Sequence, residues 1–532
     1  MQIRHIIIDI KLRPYTIIYD MRNRSMEREK FGVIRICVVG IALILQVLLF
    51  AVIFDFLRGQ SFYIYFAIQM IVLIDIIFLE GKNNNKSFVI AWLVLVYILP
   101  VFGQVLYLMW GRGVTRGRRS KKIKAALDRG ANFLKEDNAT CGEFSLAHPD
   151  RKRISEYLAR KGFPLYTNTK CDYFPLGEQQ IEAMLKDIEN AEKFVFLEYF
   201  IISSGKVWDR FEEVMIRKAK EGVEVRLLFD DMGSVTTASK KSIKNLINNG
   251  VQVKRFSPVH RYIYQLSINY RNHQKITVID GNIGYTGGIN IADEYANLYP
   301  KLGHWKDTAI RLEGDAVWGF LVSFIQMWET ESKEQTDYEA YRPTESAEGE
   351  GYYQPFVDGP MNSPDSPAEV MYRTMINNAK DYVYITTPYL VIDNTMTDAL
   401  ATAALSGTDV RIITPKIWDH WYVHFVTQSN YEELLRAGVK IYEYTPGYIH
   451  AKTIISDDDN AIVGSINMDY RSFYLNYENG VWICGGEAIG QIKKDLMDTF
   501  AISEEIKLED WKRRPWYVKF MQALLRLFAV LF

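Results

Sequence analysis

A motif of the form H-x-K-x4-D occurs twice in this 532-residue chain and constrains the fold more than any other feature. The two copies span residues 273–280 and 450–457, and each is followed by a G-[GS]-I-N segment. The asparagines of those segments, Asn290 and Asn467, both lie seventeen residues after the histidine of their copy. Chance readily produces one such motif in a long chain, but not two with the same continuation at the same distance. The chain therefore contains two related halves.

The residues around each motif indicate the chemistry that it can support. β-Branched and apolar residues follow each lysine, which predicts a buried strand, and residues two apart on a strand face the same side. Two such sets brought together would supply ammonium and amide groups for phosphate oxygens, and two imidazoles for a nucleophile and a general acid. The candidate catalytic residues are His273, Lys275, Asp280, His450, Lys452 and Asp457, and the candidate substrate-binding residues are Asn290, Asn467 and Ser465.

The acidic residues near the histidines have several interpretations. Asp280 and Asp457 are expected to hydrogen-bond the imidazoles and fix their tautomers. Glu478 can hold a histidine or a lysine in place, although an ordinary salt bridge fits equally well. A histidine on an apolar strand is more often a satisfied core residue, but that interpretation must treat both copies as coincidence. A metal site is not predicted, because H-x-K is poor ligand spacing and an ammonium group repels a cation.

The doubled motif resembles the HKD signature of the phospholipase D superfamily. The resemblance implies a two-step transfer without a cofactor or a metal in the chemistry. One histidine attacks a phosphodiester to form a phosphohistidine, and the other protonates the leaving alcohol and then deprotonates the incoming one. The lysines and asparagines hold the phosphoryl oxygens. The first copy departs from the family pattern, because Gly288 stands where serine is common and where the second copy has Ser465.

Composition excludes some classes of protein. The formal net charge of −1 argues against a dedicated nucleic-acid binder. The four cysteines are scattered and form no C-x-x-C pair, so neither a zinc site nor a disulfide framework is predicted. The length is sufficient for two or three domains.

The N-terminal part predicts a membrane region. A basic segment, 1–32, precedes a region of apolar sequence, 33–110, that consists of three runs rather than one cleavable signal. The runs are Val33–Leu57, Phe62–Leu79 and Phe88–Trp110. Pro100 and Gly103 in the third run predict a kinked or re-entrant helix.

Charge at the two ends of this region predicts its topology. Seven Lys or Arg residues lie within 1–31, and eight lie between 112 and 129 in a basic collar and linker, 111–150. Basic flanks favour the cytoplasmic side, so both ends are expected there. We therefore expect two crossings and one segment that dips in or lies flat, with a cytoplasmic catalytic portion. The collar is expected either to attract anionic lipid headgroups or to form an ordinary solvated helix face.

The rest of the chain predicts an α/β fold. Helix–Gly–strand units recur at Gly222 and Gly250, and again at Gly407 and Gly438. Such units predict two halves related by a pseudo-twofold axis, each with a mostly parallel sheet covered by helices, and an active site between them. The predicted boundaries are 151–335 for the first half, 336–366 for a linker and 367–503 for the second half. Tyr199 and Tyr389, at predicted strand ends, are expected to line the pocket.

The C-terminal segment, 504–532, contains a short apolar stretch beside Trp, Lys and Arg residues. It is too short to span a bilayer. It predicts an interfacial anchor, or else a helix packed on the catalytic domain.

Further segments narrow the resemblance to bacterial cardiolipin synthases of the phospholipase D type. These segments are Leu99-Pro-Val-Phe-Gly103, His304-Trp-Lys-Asp-Thr308 and Trp511-Lys-Arg-Arg-Pro515. The resemblance implies transfer of a phosphatidyl group between two phosphatidylglycerol molecules, giving cardiolipin and glycerol, with membrane lipids and not nucleic acid as partners. A hydrolytic phospholipase D, or another phosphatidyltransferase such as a phosphatidylserine synthase, fits the same motif. A nuclease fits less well, and a non-catalytic membrane scaffold is the remaining alternative.

Overall fold

The computed structural model describes residues 86–107, 118–258, 270–361 and 366–531, together with scattered positions between 41 and 74. The chain divides into two compact units, one comprising Met1–Val114 and Pro258–Ile268 and the other comprising the rest. Most of the first two apolar runs lie outside the described residues. Among the residues that are described, no helix combines the length and apolarity that crossing a membrane requires.

The described part of the first unit contains a broken helix. Helix α1 (Lys86–Ile98) ends before Leu99, and helix α2 (Pro100–Leu106) begins at the proline. Proline has no N–H to continue the helical ladder, so the kink predicted at this point is confirmed. A Cβ atom at Gly103 would lie 2.8 Å from the main chain of Leu95 and Val96, so glycine is what allows this close approach.

The second unit begins with three helices, which are α3 (Arg118–Ala131), α4 (Asn138–Ala147) and α5 (Lys152–Arg160). The elements of the first half follow. Its strands are β1 (Thr169–Phe174), β2 (Phe194–Tyr199), β3 (Glu224–Asp230), β4 (Gln252–Phe256), β5 (Arg271–Asn272), β6 (Ile276–Ile279), β7 (Ile283–Gly287), β8 (His304–Lys306) and β9 (Ala309–Gly314). Its helices are α6 (Gly177–Glu189), α7 (Lys206–Lys220), α8 (Lys240–Asn248) and α9 (Val317–Thr330).

The second half repeats this arrangement. Its strands are β10 (Tyr352–Asp358), β11 (Tyr382–Thr386), β12 (Leu390–Val391), β13 (Asp409–Pro415), β14 (Lys440–Tyr444), β15 (Gly447–Ile449), β16 (Thr453–Ser456), β17 (Asn460–Gly464), β18 (Met468–Asp469), β19 (Asn476–Cys484) and β20 (Ser503–Ile506). Its helices are α10 (Pro367–Asn378), α11 (Asn394–Leu405), α12 (Trp421–Ser429), α13 (Tyr431–Arg436), α14 (Tyr470–Tyr474), α15 (Glu487–Ala501), α16 (Leu508–Lys512) and α17 (Trp516–Arg526).

Both halves contain a sheet with the same strand order. The first sheet runs β1-β9-β7-β6-β2-β3-β4, and the second runs β10-β19-β17-β16-β11-β13-β14-β20. The α/β class and the internal repeat are therefore confirmed. Along each strand order only the run β2-β3-β4 or β11-β13-β14 is parallel, and in the second sheet the antiparallel strand β20 lies beyond β14. The expectation of mostly parallel sheets is wrong, because the strand after each H-x-K turns back in a hairpin instead of entering a helix.

The hairpin turn explains why aspartate ends the motif. Asp280 and Gly281 have φ of 52° and 79°, and Asp457 and Asp458 have φ of 53° and 59°. Two successive residues of positive φ form the tight turn whose twist matches antiparallel strands. Aspartate tolerates this left-handed conformation better than most residues.

The two halves share a core and exchange elements. Helix α9 is buried along nearly its whole length, in one apolar cluster that contains residues of both sheets, such as Val278 and Val463. Phe144 of α4 packs on Trp482 of the second sheet, with ring centroids 5.8 Å apart. Tyr173 of the first sheet donates a hydrogen bond to Asp495 of α15. The two halves therefore form one folded domain with a shared core, not two independent domains joined by a linker.

Two expected boundaries change in consequence. The predicted linker 336–366 contains β10, which pairs with β19 along seven residues and closes the second sheet. Polar, Gly-rich flanks concealed this strand in the sequence. The predicted C-terminal segment likewise begins inside β20, an edge strand paired with β14.

Some side chains of the basic collar form ion pairs and hydrogen bonds within the protein. Arg119 lies 2.5 Å from Glu331, and Arg129 pairs with Glu329 at the end of α9. Lys122 donates to the carbonyl of Ser332. These contacts pack α3 against the end of α9, which neither the lipid-binding nor the solvated-face interpretation of the collar predicted for these residues.

Candidate active site

Each motif histidine is held at the boundary between the halves by strand pairing. Strand β5, which ends at Asn272, pairs in parallel with β19 of the other half, and the His273 N–H donates to the carbonyl of Tyr477. Strand β15, which ends at Ile449, pairs in parallel with β8 of the first half, and the His450 N–H donates to the carbonyl of Lys306. The short strands before the motifs thus fix both histidines at the shared interface.

Each imidazole is oriented by a carboxylate from the opposite half. His273 Nδ1 lies 2.9 Å from Glu478 Oε2, and His450 Nδ1 lies 2.6 Å from Asp307 Oδ2. Both carboxylates are fully buried, whereas the histidines retain 8% and 7% exposure. With Nδ1–H donated to an ionised carboxylate, Nε2 keeps a free lone pair and can act as a nucleophile or base. A further proton held by the pair leaves Nε2 protonated and able to act as an acid. The arrangement is reciprocal, since neither half can orient its own histidine.

Glu478 confirms one sequence interpretation, whereas Asp307 was missed. Glu478 lies eleven residues after Asn467, but Asp307 lies seventeen residues after Asn290. The extra residues form a loop before β8, so equal spacing could not align the two acids. The available signal was the His304-Trp-Lys-Asp-Thr segment, which the family resemblance singled out without a role.

The tautomer-fixing role expected of Asp280 and Asp457 is wrong. Asp280 instead accepts hydrogen bonds from the N–H groups of residues 192, 193 and 194 at 2.7–2.8 Å. Asp457 accepts from the N–H groups of residues 380, 381 and 382 and lies 2.9 Å from Arg151. Each carboxylate stands at the far end of its strand from the histidine and ties the hairpin to the start of the neighbouring strand.

We therefore expect Asp457→Ala to act on stability. The variant leaves three N–H groups without their acceptor and removes one of the two carboxylates that pair with the buried Arg151, so the free energy of unfolding should fall by about 2–4 kcal/mol. The native pKa of Asp457 is lowered, because the three N–H groups and Arg151 outweigh the cost of burial. Its contribution is therefore present above pH ~4 and is lost as pH falls through the native pKa. Urea unfolding at pH 7 and pH 3 checks this: a deficit that persists unchanged at pH 3 would contradict it.

The second residue of each G-[GS]-I-N segment leaves room for the carboxylate that orients a histidine. In the second copy Ser465 Oγ donates to Glu478 and accepts from the Asn479 N–H. In the first copy a Cβ at Gly288 would lie 2.1 Å from Asp307 Oδ1. The shorter acid thus occupies the space of the missing serine side chain. Gly288 is what the Asp307 position requires, which accounts for the departure from the family pattern.

Gly288→Ala should accordingly displace Asp307 and misorient His450. We expect kcat to fall about 10- to 100-fold, the usual cost of a misplacement near 1 Å at a reacting centre. Gly490→Ala in α15 is the matched control, because no atom lies within 4 Å of its new Cβ. Equal turnover for the two variants would show that Asp307 does not need this space.

The motif lysines lie beside the histidines. Lys275 Nζ donates to the carbonyl of His273 at 2.6 Å, and Lys452 Nζ donates to the carbonyl of His450. Both acceptors are neutral, so each ammonium keeps charge for an anion. Burial lowers the pKa of Lys275 to about 7 and that of Lys452 to about 8. An anion in the site would restore both charges.

The two histidine–carboxylate pairs differ electrostatically. Burial lowers the pKa of His273 to about 4 and that of His450 well below its ordinary value, and the nearby lysines add to both shifts. Burial pushes the pKa of Glu478 upward, but His273, Lys275 and Ser465 outweigh it and the pKa is lowered. Burial raises the pKa of Asp307 to about 7. Glu478 is therefore ionised beside a neutral imidazole, whereas the Asp307–His450 pair retains a proton near neutrality.

The asparagines and tyrosines occupy different positions. Asn290 accepts from the Ile201 N–H and donates to Tyr295, whose ring lies 5.4 Å from His450. Asn467 Oδ1 is buried and has no hydrogen-bond partner among the described residues. The Tyr199 hydroxyl is hydrogen-bonded to Thr277 within the core, and the residue is 2% exposed. The expectation that Tyr199 lines the site is therefore wrong.

Aromatic rings enclose the imidazoles. Phe200 lies 5.0 Å from His273 between ring centroids, and Trp305 and Tyr448 lie 5.6 and 6.0 Å from His450. Such walls exclude water and strengthen the charges within.

Two halves that each supply one H-x-K motif to a shared interface define a protein of the phospholipase D superfamily. The family model "Cardiolipin synthase, PLD-like domain" matches residues 184–299 and 372–499, and the model "Phospholipase_D-nuclease N-terminal" matches 67–112. A cardiolipin synthase of Oceanobacillus iheyensis is 35% identical over 87% of this chain and 97% of its own length. The chain belongs to the phospholipase D-like cardiolipin synthase family.

Three further proteins are similar to this chain. A cardiolipin synthase of Listeria monocytogenes is 33% identical over 85% of this chain and 95% of its own. An uncharacterised protein of Streptococcus mutans is 37% identical over 86% of this chain and 99% of its own. The crystal structure of a Haemophilus influenzae phosphatidylserine synthase superposes with a TM-score of 0.56 at 13% identity, covering 72% of this chain and 99% of that one, which shows the fold.

Proposed function

We propose that this protein transfers a phosphatidyl group from one phosphatidylglycerol to another, giving cardiolipin and glycerol through a phosphohistidine. The observation that carries the proposal is the reciprocal pairing of His273 with Glu478 and of His450 with Asp307 across the interface, with a lysine beside each histidine. The family membership supports the substrate.

In the first step, neutral His273 Nε2 attacks phosphorus and the bond from phosphorus to the glycerol oxygen breaks. His450 gives its proton to the departing glycerol. In the second step, a hydroxyl of another phosphatidylglycerol attacks phosphorus and passes its proton to His450, and the P–N bond breaks. Lys275, Lys452 and the two motif asparagines hold the non-bridging oxygens. One phosphodiester replaces another, so no nucleotide is required.

The difference between the two carboxylates supports His273 as the nucleophile. Glu478 accepts hydrogen bonds from Ser465, Ser472 and Asn476, which keep it ionised. An ionised carboxylate at Nδ1 stabilises the positive charge of a phosphorylated imidazole. The Asp307–His450 pair keeps a proton near neutrality and suits the general acid. The alternative is that His450 is the nucleophile and His273 the general acid. Identifying which histidine carries the covalent adduct distinguishes the two assignments.

The pH profile tests this proton assignment. The pKa of Asp307 is about 7 and that of Lys275 is about 7, and both groups lose the proton that the reaction uses as pH rises. Because both groups must keep their protons, we expect kcat/KM, which reports on the free enzyme, to fall above pH ~7 by up to about a hundredfold per pH unit. A profile that stays flat to pH 9 would contradict the assignment.

Product analysis tests the function itself. Purified protein in liposomes of labelled phosphatidylglycerol is expected to release glycerol and form cardiolipin in equal amounts. Phosphatidic acid as the main product would indicate a hydrolytic phospholipase D. If neither phosphatidylglycerol nor water accepts the phosphatidyl group, a non-catalytic scaffold would be favoured.

We further propose that residues 33–110 place the protein in the membrane as a multi-pass segment, with the catalytic halves on the cytoplasmic side. The apolar runs, their basic flanks and the matched N-terminal family region support this. Compartment-sensitive reporters at residues 1 and 130 test it: both should report the cytoplasm, and opposite sides would exclude the two-crossing topology.

A further inference from the structure

The C-terminal helix α17 is docked on the catalytic unit by one face. Gln522 is buried and lies 3.4 Å from Gln428 of α12, and Arg526 lies 3.5 Å from Glu433 of α13. Beyond the helix, Ala529 and Val530 are buried. The packed-helix alternative is therefore correct for this face, and the helix has a fixed orientation on the domain.

The opposite face of α17 is apolar and exposed. Its exposed side chains include Trp516 at 78% and Phe520 at 59%. The full set is Trp516, Tyr517, Phe520, Leu524 and Leu527. At 3.6 residues per turn these five fall within an arc of about 100°. A contiguous apolar arc of this kind is uncommon on a soluble surface and marks a binding face.

The charge around this arc is positive. Of the six Lys or Arg in residues 507–527, Lys507, Arg513 and Arg526 are paired with carboxylates. Lys512, four residues before the helix, and Lys519 within it form no ion pair among the described residues. Tryptophan and tyrosine at one end, aliphatic side chains at the other and lysines alongside match the boundary between headgroups and acyl chains. A second copy of the same face would oppose like charges, so an anionic bilayer is the occupant that the charges favour.

A second exposed aromatic group lies on the element that packs against α17. Trp418 and Trp421, at the start of α12, are about half exposed. Asp419 between them accepts a hydrogen bond from Tyr389, and the Tyr389 oxygen lies 3.3 Å from that of Tyr448. Tyr448 stacks on His450. A short chain of contacts thus links these exposed tryptophans to His450.

We propose that the outer face of α17 and the segment 417–421 form one surface that docks on an anionic bilayer and holds the active-site mouth at the headgroups. Phosphodiesters of membrane lipids then reach His450 past Tyr448 and Tyr389 without leaving the bilayer. The docking rests on exposure and charge, and only its purpose rests on the proposed function.

Site-specific photo-crosslinking tests the surface in the full-length protein. A benzophenone side chain is placed at Phe520 or at Trp421, and the protein is reconstituted in vesicles of labelled phosphatidylglycerol and phosphatidylethanolamine. The control position is Leu405 at the end of α11, which is 74% exposed and lies outside the surface. Lipid adducts at 520 and 421 should exceed those at 405 about tenfold or more, since only a side chain in the headgroup–acyl boundary meets lipid.

Equal yields at all three positions would overturn the inference, and adducts at 520 alone would overturn the shared surface. The readout requires no turnover. Adducts without cardiolipin would therefore leave the docking surface intact while rejecting the proposed reaction, and cardiolipin without adducts would do the reverse.

Discussion

Replacing either motif histidine by alanine should lower cardiolipin formation by on the order of 10⁴- to 10⁶-fold, because a nucleophile or its acid–base partner is removed. His273 and His450 are both buried and both held by a carboxylate of the opposite half, so neither can replace the other. The double variant should lose no more than either single variant, since the two act as one unit.

The matched control for these variants is His148→Ala. His148 directly follows α4 and stacks on Phe144 of that helix, with ring centroids 5.4 Å apart. Its loss should leave turnover within about twofold, as is usual for a substitution away from the reacting groups. Initial rates in phosphatidylglycerol liposomes provide the measurement. If one histidine variant kept a tenth of the activity, the two-histidine mechanism would be wrong.

Glu478→Gln should lower kcat by on the order of 10³- to 10⁴-fold with little effect on KM, because a neutral amide favours the wrong imidazole tautomer and cannot stabilise a cationic ring. Asp307→Asn should cost less, since the Asp307 carboxyl has a pKa near 7 and is already partly protonated at neutral pH. The order of the two effects follows from the hydrogen bonds to Glu478, which has Ser465, Ser472 and Asn476 as donors.

Glu369→Gln is the control for Glu478→Gln. Glu369 is a buried carboxylate that accepts a hydrogen bond from Tyr474 and does not contact either histidine. It should change the free energy of unfolding by about 1 kcal/mol without altering kcat beyond about twofold. A loss of kcat for Glu369→Gln as large as that for Glu478→Gln would mean that the effect arises from general disturbance of the second half.

The sequence predicted the parts of the site that repeat with equal spacing. Both H-x-K pairs, Asn290 and Asn467 keep the same separations in the two halves, so their meeting at one interface could be inferred from the chain alone. Asp307 could not be, because its separation from the preceding asparagine differs from that of Glu478. Pairing across the halves is a tertiary property with no local signal.

The aspartates show a different limit. Asp280 and Asp457 are part of the motif, and from spacing alone an imidazole partner was a reasonable prediction. The structure gives them a local role, because a residue that ends one strand and begins a tight hairpin lies at the opposite end from the histidine. The same hairpins place antiparallel strands beside the parallel ones, so each sheet contains both kinds of pairing. Strand β10 was overlooked because its neighbours are polar, while its own burial depends on pairing with β19 from far along the chain.

Mass spectrometry of the enzyme, quenched during turnover of labelled phosphatidylglycerol, tests whether the reaction passes through a phosphohistidine. A phosphatidyl adduct is expected on His273 in the unaltered protein, and after long incubation in His450→Ala, where the adduct forms and breaks down slowly because both steps lack the acid–base partner. No adduct is expected in His273→Ala. An adduct on His450 in His273→Ala, or none on His273 in the unaltered protein while it makes cardiolipin, would contradict this mechanism.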